Sequence, residues 1–69
     1  MANRRLWRQL IGARLSDVAE VVGCDASLVH LWEVGKRKPS PVDSASWLKA
    51  LLELERRASA QLREVRERG

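Results

Sequence analysis

With 69 residues, a formal net charge of +4 and 45% hydrophobic residues, the chain makes one small domain with a core, leaving no room for an enclosed cleft backed by a second layer. The single Cys24 excludes a disulfide framework and a cysteine metal cluster, and one His30 offers no substitute. The basic balance suits a polyanionic partner, and no apolar run approaches transmembrane length.

The elements read as helices throughout, because apolar residues recur at helical spacing and strand-like alternation is absent. A first helix is expected over roughly residues 3–13, with Leu6, Trp7, Leu10 and Ile11 inward and Gly12 loosening or ending it. Two readings of Trp7 stand open: packing on the fourth helix, or partial exposure at a subunit contact. Ser16 reads as the N-cap of a second helix, with Asp17 in its first turn, Val18, Ala19 and Val22 inward and Gly23 as a left-handed stop. Asp25 caps a third helix whose inner residues are Val29 and Trp32, and Gly35 ends it. A basic loop, Lys36, Arg37 and Lys38, runs into Pro39.

Ser40, Pro41 and Asp43 then give an N-cap, a proline at the first helical position and a capping box. Trp47, Leu48, Leu51, Leu52 and Leu54 keep helical spacing, and neither Gly nor Pro recurs before Gly69. A fourth helix of about 40 Å is expected over residues 41–67. The core is expected from Val18, Ala19, Val22, Val29, Trp32, Trp47, Leu48 and Leu51. Residues 1–55 make the domain, and residues 56–69 a helical extension of it.

Residues 15–34 form a constrained set. Small Ala19 lets two helices nearly touch, Gly23 turns the chain tightly, Cys24 tucks beneath the turn, and Val18, Val22, Val29 and Trp32 fill the wedge between the helices. With Trp32, Glu33, Gly35 and Pro39 in a W-E-x-G-x-x-x-P pattern, residues 4–52 resemble the helix-turn-helix of the phage Cro and repressor (XRE-like) family.

The resemblance implies an all-α, lambda-repressor-like DNA-binding domain of four to five helices with an extended C-terminal helix, and a pairing of Arg8 with Glu33. It also implies that the third helix enters the major groove. Asp25, Ala26, Ser27, His30 and Leu31 would then face base edges. Arg14, Ser16, Lys36, Arg37 and Lys38 would meet phosphates, with Arg4 and Arg5 as a short arm. The chain departs from the family in having Ala26, Ser27, Leu28 and Leu31 where long polar readers are common, which shifts weight to DNA shape.

The function so implied is a non-enzymatic, sequence-specific transcriptional regulator of phage, prophage or plasmid type. It would be cytoplasmic and bind a double-stranded operator as a homodimer, with no cofactor, metal, membrane or small-molecule ligand. Residues 1–8 also lack the apolar stretch of a signal peptide. Leu51, Leu54, Ala58, Leu62 and Val65 are expected at the dimer contact, close to a heptad seam. The rivals are an excisionase-like architectural protein, which needs strands for a wing, and a protein-interaction module such as an antitoxin or host-factor inhibitor.

Plainer readings accompany several of these residues. The basic loop can be simply solvated, and His30 simply exposed. Cys24 reads as a small core residue, and Trp32 and Trp47 as core anchors. Arg56 to Arg68 read as a solvated face steadied by Glu53/Arg57, Arg63/Glu67 and Glu64/Arg68. Ser16 and Asp17 are helix-start residues, not members of a hydrolytic triad with His30.

Overall fold

The computed structural model describes residues 3–68, which form α1 (Arg4–Leu10), α2 (Leu15–Val22), α3 (Ala26–Glu33) and α4 (Pro41–Arg68), with no strand among them. Helix α2 is the middle layer, packing on both α3 and α4, while α1 closes against α4. The core comprises Val18, Ala19, Val29, Trp32, Trp47, Ala50 and Leu51. Trp7, Leu15, Val22, Cys24, Ala26, Leu28 and Leu54 pack around it. No described helix is long and apolar enough to cross a membrane.

The three short helices end as the glycines dictate. Gly23 and Gly35 adopt φ of 89° and 77°, left-handed values that cost a residue with a Cβ. The Gly23 and Cys24 amides both donate to the Ala19 carbonyl, turning the chain from α2 into α3 across residues 23–25. At the end of α3, Gly35 N–H donates to Trp32 and Lys36 N–H to Leu31, the paired bonds of a Schellman ending. Helix α4 starts with Ser40 Oγ accepting from Asp43 N–H at 3.1 Å and with Pro41 as the first helical residue, as expected. The return bond from Ser40 N–H to the Asp43 carboxylate, which would complete the capping box, does not form.

Helix α2 begins two residues before the expected point. Arg14 stands at its N-cap position, Asp17 Oδ2 accepts the Arg14 N–H at 2.8 Å, and Ser16 lies exposed within the first turn rather than capping it. The earlier start brings Leu15 against the core. Asp25 holds the N-cap position of α3, but its side chain makes no capping bond.

Helix α1 presents a different face from the one expected. Leu6 and Leu10 are exposed, at 49% and 77%. The half-buried residues are Arg4, Trp7, Arg8 and Ile11, at steps of three and four. Two arginines lie on the inner face because both heads find partners there. Arg4 Nη1 donates to the Ser44 carbonyl at 3.0 Å and its guanidinium lies 4.7 Å from the Trp47 ring centroid. Arg4 is therefore tied to α4 and is no free arm. Trp7 packs on the core, and its Nε1 donates to Glu55 Oε1 at 3.1 Å, so the α4 reading of this residue holds.

On α4 the inward stripe runs through Trp47, Ala50, Leu51 and Leu54. Leu48 turns outward at 38% exposure, and Ala50 replaces it in the core. Leu51 is 0% exposed and Leu54 packs on the core, so the domain itself uses two of the five residues expected at a dimer contact, as it does Trp47. From residue 59 to 68 every side chain is exposed, and the helix projects along the 44 Å long axis of the molecule. Glu53 joins Arg56 and Arg57, and Glu64 joins Arg68. The expected Arg63/Glu67 pair does not form, and the Arg56 contact arises at three-residue spacing instead.

Candidate nucleic-acid interface

Burial of Val29 and Trp32 fixes which side of α3 faces out. Ser27 and His30 are exposed on that side, with Asp25 exposed before the first turn. Ala26 is not on it: one turn before Val29, it shares the inner face and packs on the core. Leu31 is half-buried at the edge, and its carbonyl accepts from both the Lys36 and Arg37 amides. Of the five expected base-facing residues, Asp25, Ser27 and His30 are fully outward, Leu31 borders them and Ala26 is withdrawn. Val34, 40% exposed and four residues after His30, extends the line. The sequence reading missed it, although its spacing from Ser27 and His30 was the available signal.

The Schellman ending fixes the start of the basic loop, since the Lys36 and Arg37 backbones are bonded to α3 itself. The side chains of Lys36, Arg37 and Lys38 are exposed, and among the described residues none of the three enters an ion pair. Arg14 is also outward, 84% exposed, with a loose 3.6 Å contact to Asp17. Ser16 is exposed beside it at the start of α2. The outward cations therefore border α3 at its C-terminal end and α2 at its N-terminal end. Arg5 is exposed on α1.

Behind this face lies a buried ion pair. Arg8 Nε donates to Glu33 Oε2 at 2.6 Å and Nη2 to Oε1 at 3.1 Å, while Nη1 reaches the Ala13 carbonyl at 3.0 Å. The Glu33 side chain is 1% exposed. A bidentate guanidinium–carboxylate contact fixes direction as well as distance, so the last turn of α3 is held at a set angle to α1 and to the start of α2. A groove of about 620 Å³ opens between Arg4 and Arg5 on one side and Trp32, Glu33 and Trp47 on the other. Two of its charged residues are already engaged, Arg4 with Ser44 and Glu33 with Arg8.

Cys24 is half-buried beneath the α2–α3 turn. Its thiol is pushed above the usual range, first by burial and then by the carboxylates of Asp25 and Asp43. Such a thiol is a poor nucleophile and metal ligand. Among the described residues no three His, Cys, Asp or Glu side chains gather as metal donors. No family model, curated protein or solved structure matches this chain.

Proposed function

We propose that the chain is a sequence-specific double-stranded DNA-binding regulator of transcription, of the Cro and repressor kind, in which α2 and α3 act as the helix-turn-helix of a lambda-repressor-like domain. The observation that carries this reading is the placement of charge. The outward face of α3, with Ser27 and His30, is bordered by Lys36, Arg37 and Lys38, whose charges have no partner among the described residues. On DNA those cations and Arg14 would meet phosphates, while Ser27, His30 and Asp25 meet base edges in the major groove.

Only short polar side chains reach outward, so the deformability of the operator carries part of the selectivity. The protein acts in the cytoplasm without cofactor or small-molecule ligand and performs no catalysis. Its control comes from its own concentration and from competition for the operator, as in phage, prophage or plasmid switches. The winged excisionase-like alternative requires strands, and residues 3–68 contain none.

Iterative selection from random-sequence DNA tests the reading directly. A recovered motif, bound with a steep dependence on salt, is the expected result. Failure to enrich any motif, together with no salt-dependent binding to duplex, sets the reading aside in favour of a protein-interaction module acting through α4.

A further inference from the structure

We propose that residues 55–66 of α4 are an antiparallel pairing surface for a second copy of this chain, centred between Ala60 and Gln61. The apolar stripe that α4 buries in the domain at Leu51 and Leu54 does not stop where the domain ends. It continues on the same side through Ala58, Leu62 and Val65, where Leu62 is 52% and Val65 65% exposed. The steps of three, four, four and three residues fit an eleven-residue repeat better than a heptad, so the stripe runs nearly straight along the helix.

The domain itself excludes one of the two ways to pair this stripe. In-register parallel helices would need both copies' α1–α3 layers on the face that Trp47, Leu51 and Leu54 already fill. Turning one copy end for end puts the two domains at opposite ends and leaves the projecting segments together.

Charge then selects the register. At 100° per residue, Glu55 and Arg66 lie on one flank of the stripe, and Arg57 and Glu64 on the other. Both pairs share one midpoint. Rotation about it sets Glu55 against Arg66 of the second copy and Arg57 against Glu64 of the second copy, each contact occurring twice by symmetry. Same-flank pairing of this kind is what an antiparallel arrangement requires.

The atoms needed for these contacts are open. Trp7 occupies only Oε1 of Glu55, Arg68 only Oε1 of Glu64, and Glu53 accepts only from Nε of Arg57. The same register sets small Ala58 beside Leu62 of the second copy. It also delivers the second copy's Val65 between Leu54 and Ala58, where a groove of about 380 Å³ opens toward Ile11.

The pairing stands independently of what α3 touches. One consequence does rest on the DNA reading: the two Leu51 residues would lie 19 positions apart by this register, about 29 Å along the axis. That is close to the roughly 34 Å between successive major-groove faces on one side of DNA.

Sedimentation velocity of the full chain without DNA, across a concentration series, is the first test, and a monomer–dimer equilibrium is expected. Arg57→Glu and Glu64→Arg should each weaken the dimer about tenfold. The double exchange should recover most of the loss, with far-UV circular dichroism confirming unchanged helix. In a Cys24→Ser background, Leu62→Cys should oxidise to a linked dimer, its two copies being three positions apart along the axis. Val65→Cys should not, because nine positions, about 14 Å, exceed the reach of a disulfide. Monomer at every concentration, no recovery in the double exchange, or equal cross-linking through Val65→Cys would each overturn the proposal. A chain that pairs yet binds no duplex keeps this inference and loses the DNA function; a chain that binds an operator strictly as a monomer does the reverse.

Discussion

Arg8 and Glu33, 25 positions apart, meet through two hydrogen bonds, with the carboxylate 1% and the guanidinium 13% exposed. Removing the arginine leaves a negative charge out of water with no counterion, while removing the carboxylate leaves a guanidinium with only the Ala13 carbonyl. Arg8→Ala should cost roughly 3–5 kcal/mol, comparable with the entire stability of so small a domain. Arg8→Lys should recover only part of the loss, since an ammonium cannot reproduce the fork. Urea melts of the three proteins check this; equal midpoints would mean that the pair contributes nothing.

In the core, Trp32→Ala should destabilise by about 3–5 kcal/mol. Ala50 offers a sharper test of the α4 register, because it is 0% exposed and Leu48 is not. Ala50→Leu should cost roughly 1–3 kcal/mol by overpacking, whereas Leu48→Ala should cost less than a core truncation. The reverse ranking in thermal melts would place Leu48 inward and the helix in a different rotation.

Neutralising Lys36, Arg37 and Lys38 should weaken binding to operator and to unrelated duplex alike. The slope of log affinity against log salt should fall by about one for each phosphate that is no longer neutralised. Fluorescence anisotropy over a salt series measures it. An unaltered slope in the triple alanine variant removes the loop from the interface.

Ser27→Gln lengthens the most outward polar side chain of α3 and supplies a bidentate partner for adenine. The selected motif should change at one base pair per half-site, with a discrimination of about 1–3 kcal/mol. An unchanged motif would leave readout to DNA shape.

The Cys24 thiol, raised by burial and by Asp25 and Asp43, should alkylate more slowly than a free thiol at pH about 8.5. The sign for stability follows from the protonated form being the one the fold favours. The contribution is fully present below the unfolded thiol's range and is lost as pH rises through the higher folded value. Melts across the alkaline range on the native chain and Cys24→Ser should converge as pH rises; parallel curves would contradict the shift.

The parts of the fold legible in the sequence were those set by backbone chemistry. Gly12, Gly23 and Gly35 end the short helices, and Ser40 with Pro41 opens the long one. Rotation of the helices was less legible. Helix α1 has only two turns, and hydropathy favours Leu6 and Leu10 inward until Glu33, Ser44 and the Trp47 ring supply partners for Arg8 and Arg4. Ala50 and Ala26 are inward by position, with side chains too small to stand out in a hydropathy pattern. The candidate site followed the same division. Lys36, Arg37 and Lys38 could be placed from the chain break at Gly35, but Ala26 moved inward and Val34 outward once Val29 and Trp32 fixed the phase of α3.

All three indoles lie in the domain body, at Trp7, Trp32 and Trp47, and α4 carries none after its first two turns. The rings of Trp32 and Trp47 stand 5.5 Å apart, tilted by 38°, so their emission reports on the body alone. Far-UV ellipticity instead counts every helical peptide, including the ten exposed residues from 59 to 68. Heated as a monomer, the protein should lose ellipticity before it loses its tryptophan signal, and the two curves should fail the coincidence expected of one cooperative step. Optical melts thus separate fraying at the free end from collapse of the domain, without a label or a truncated chain.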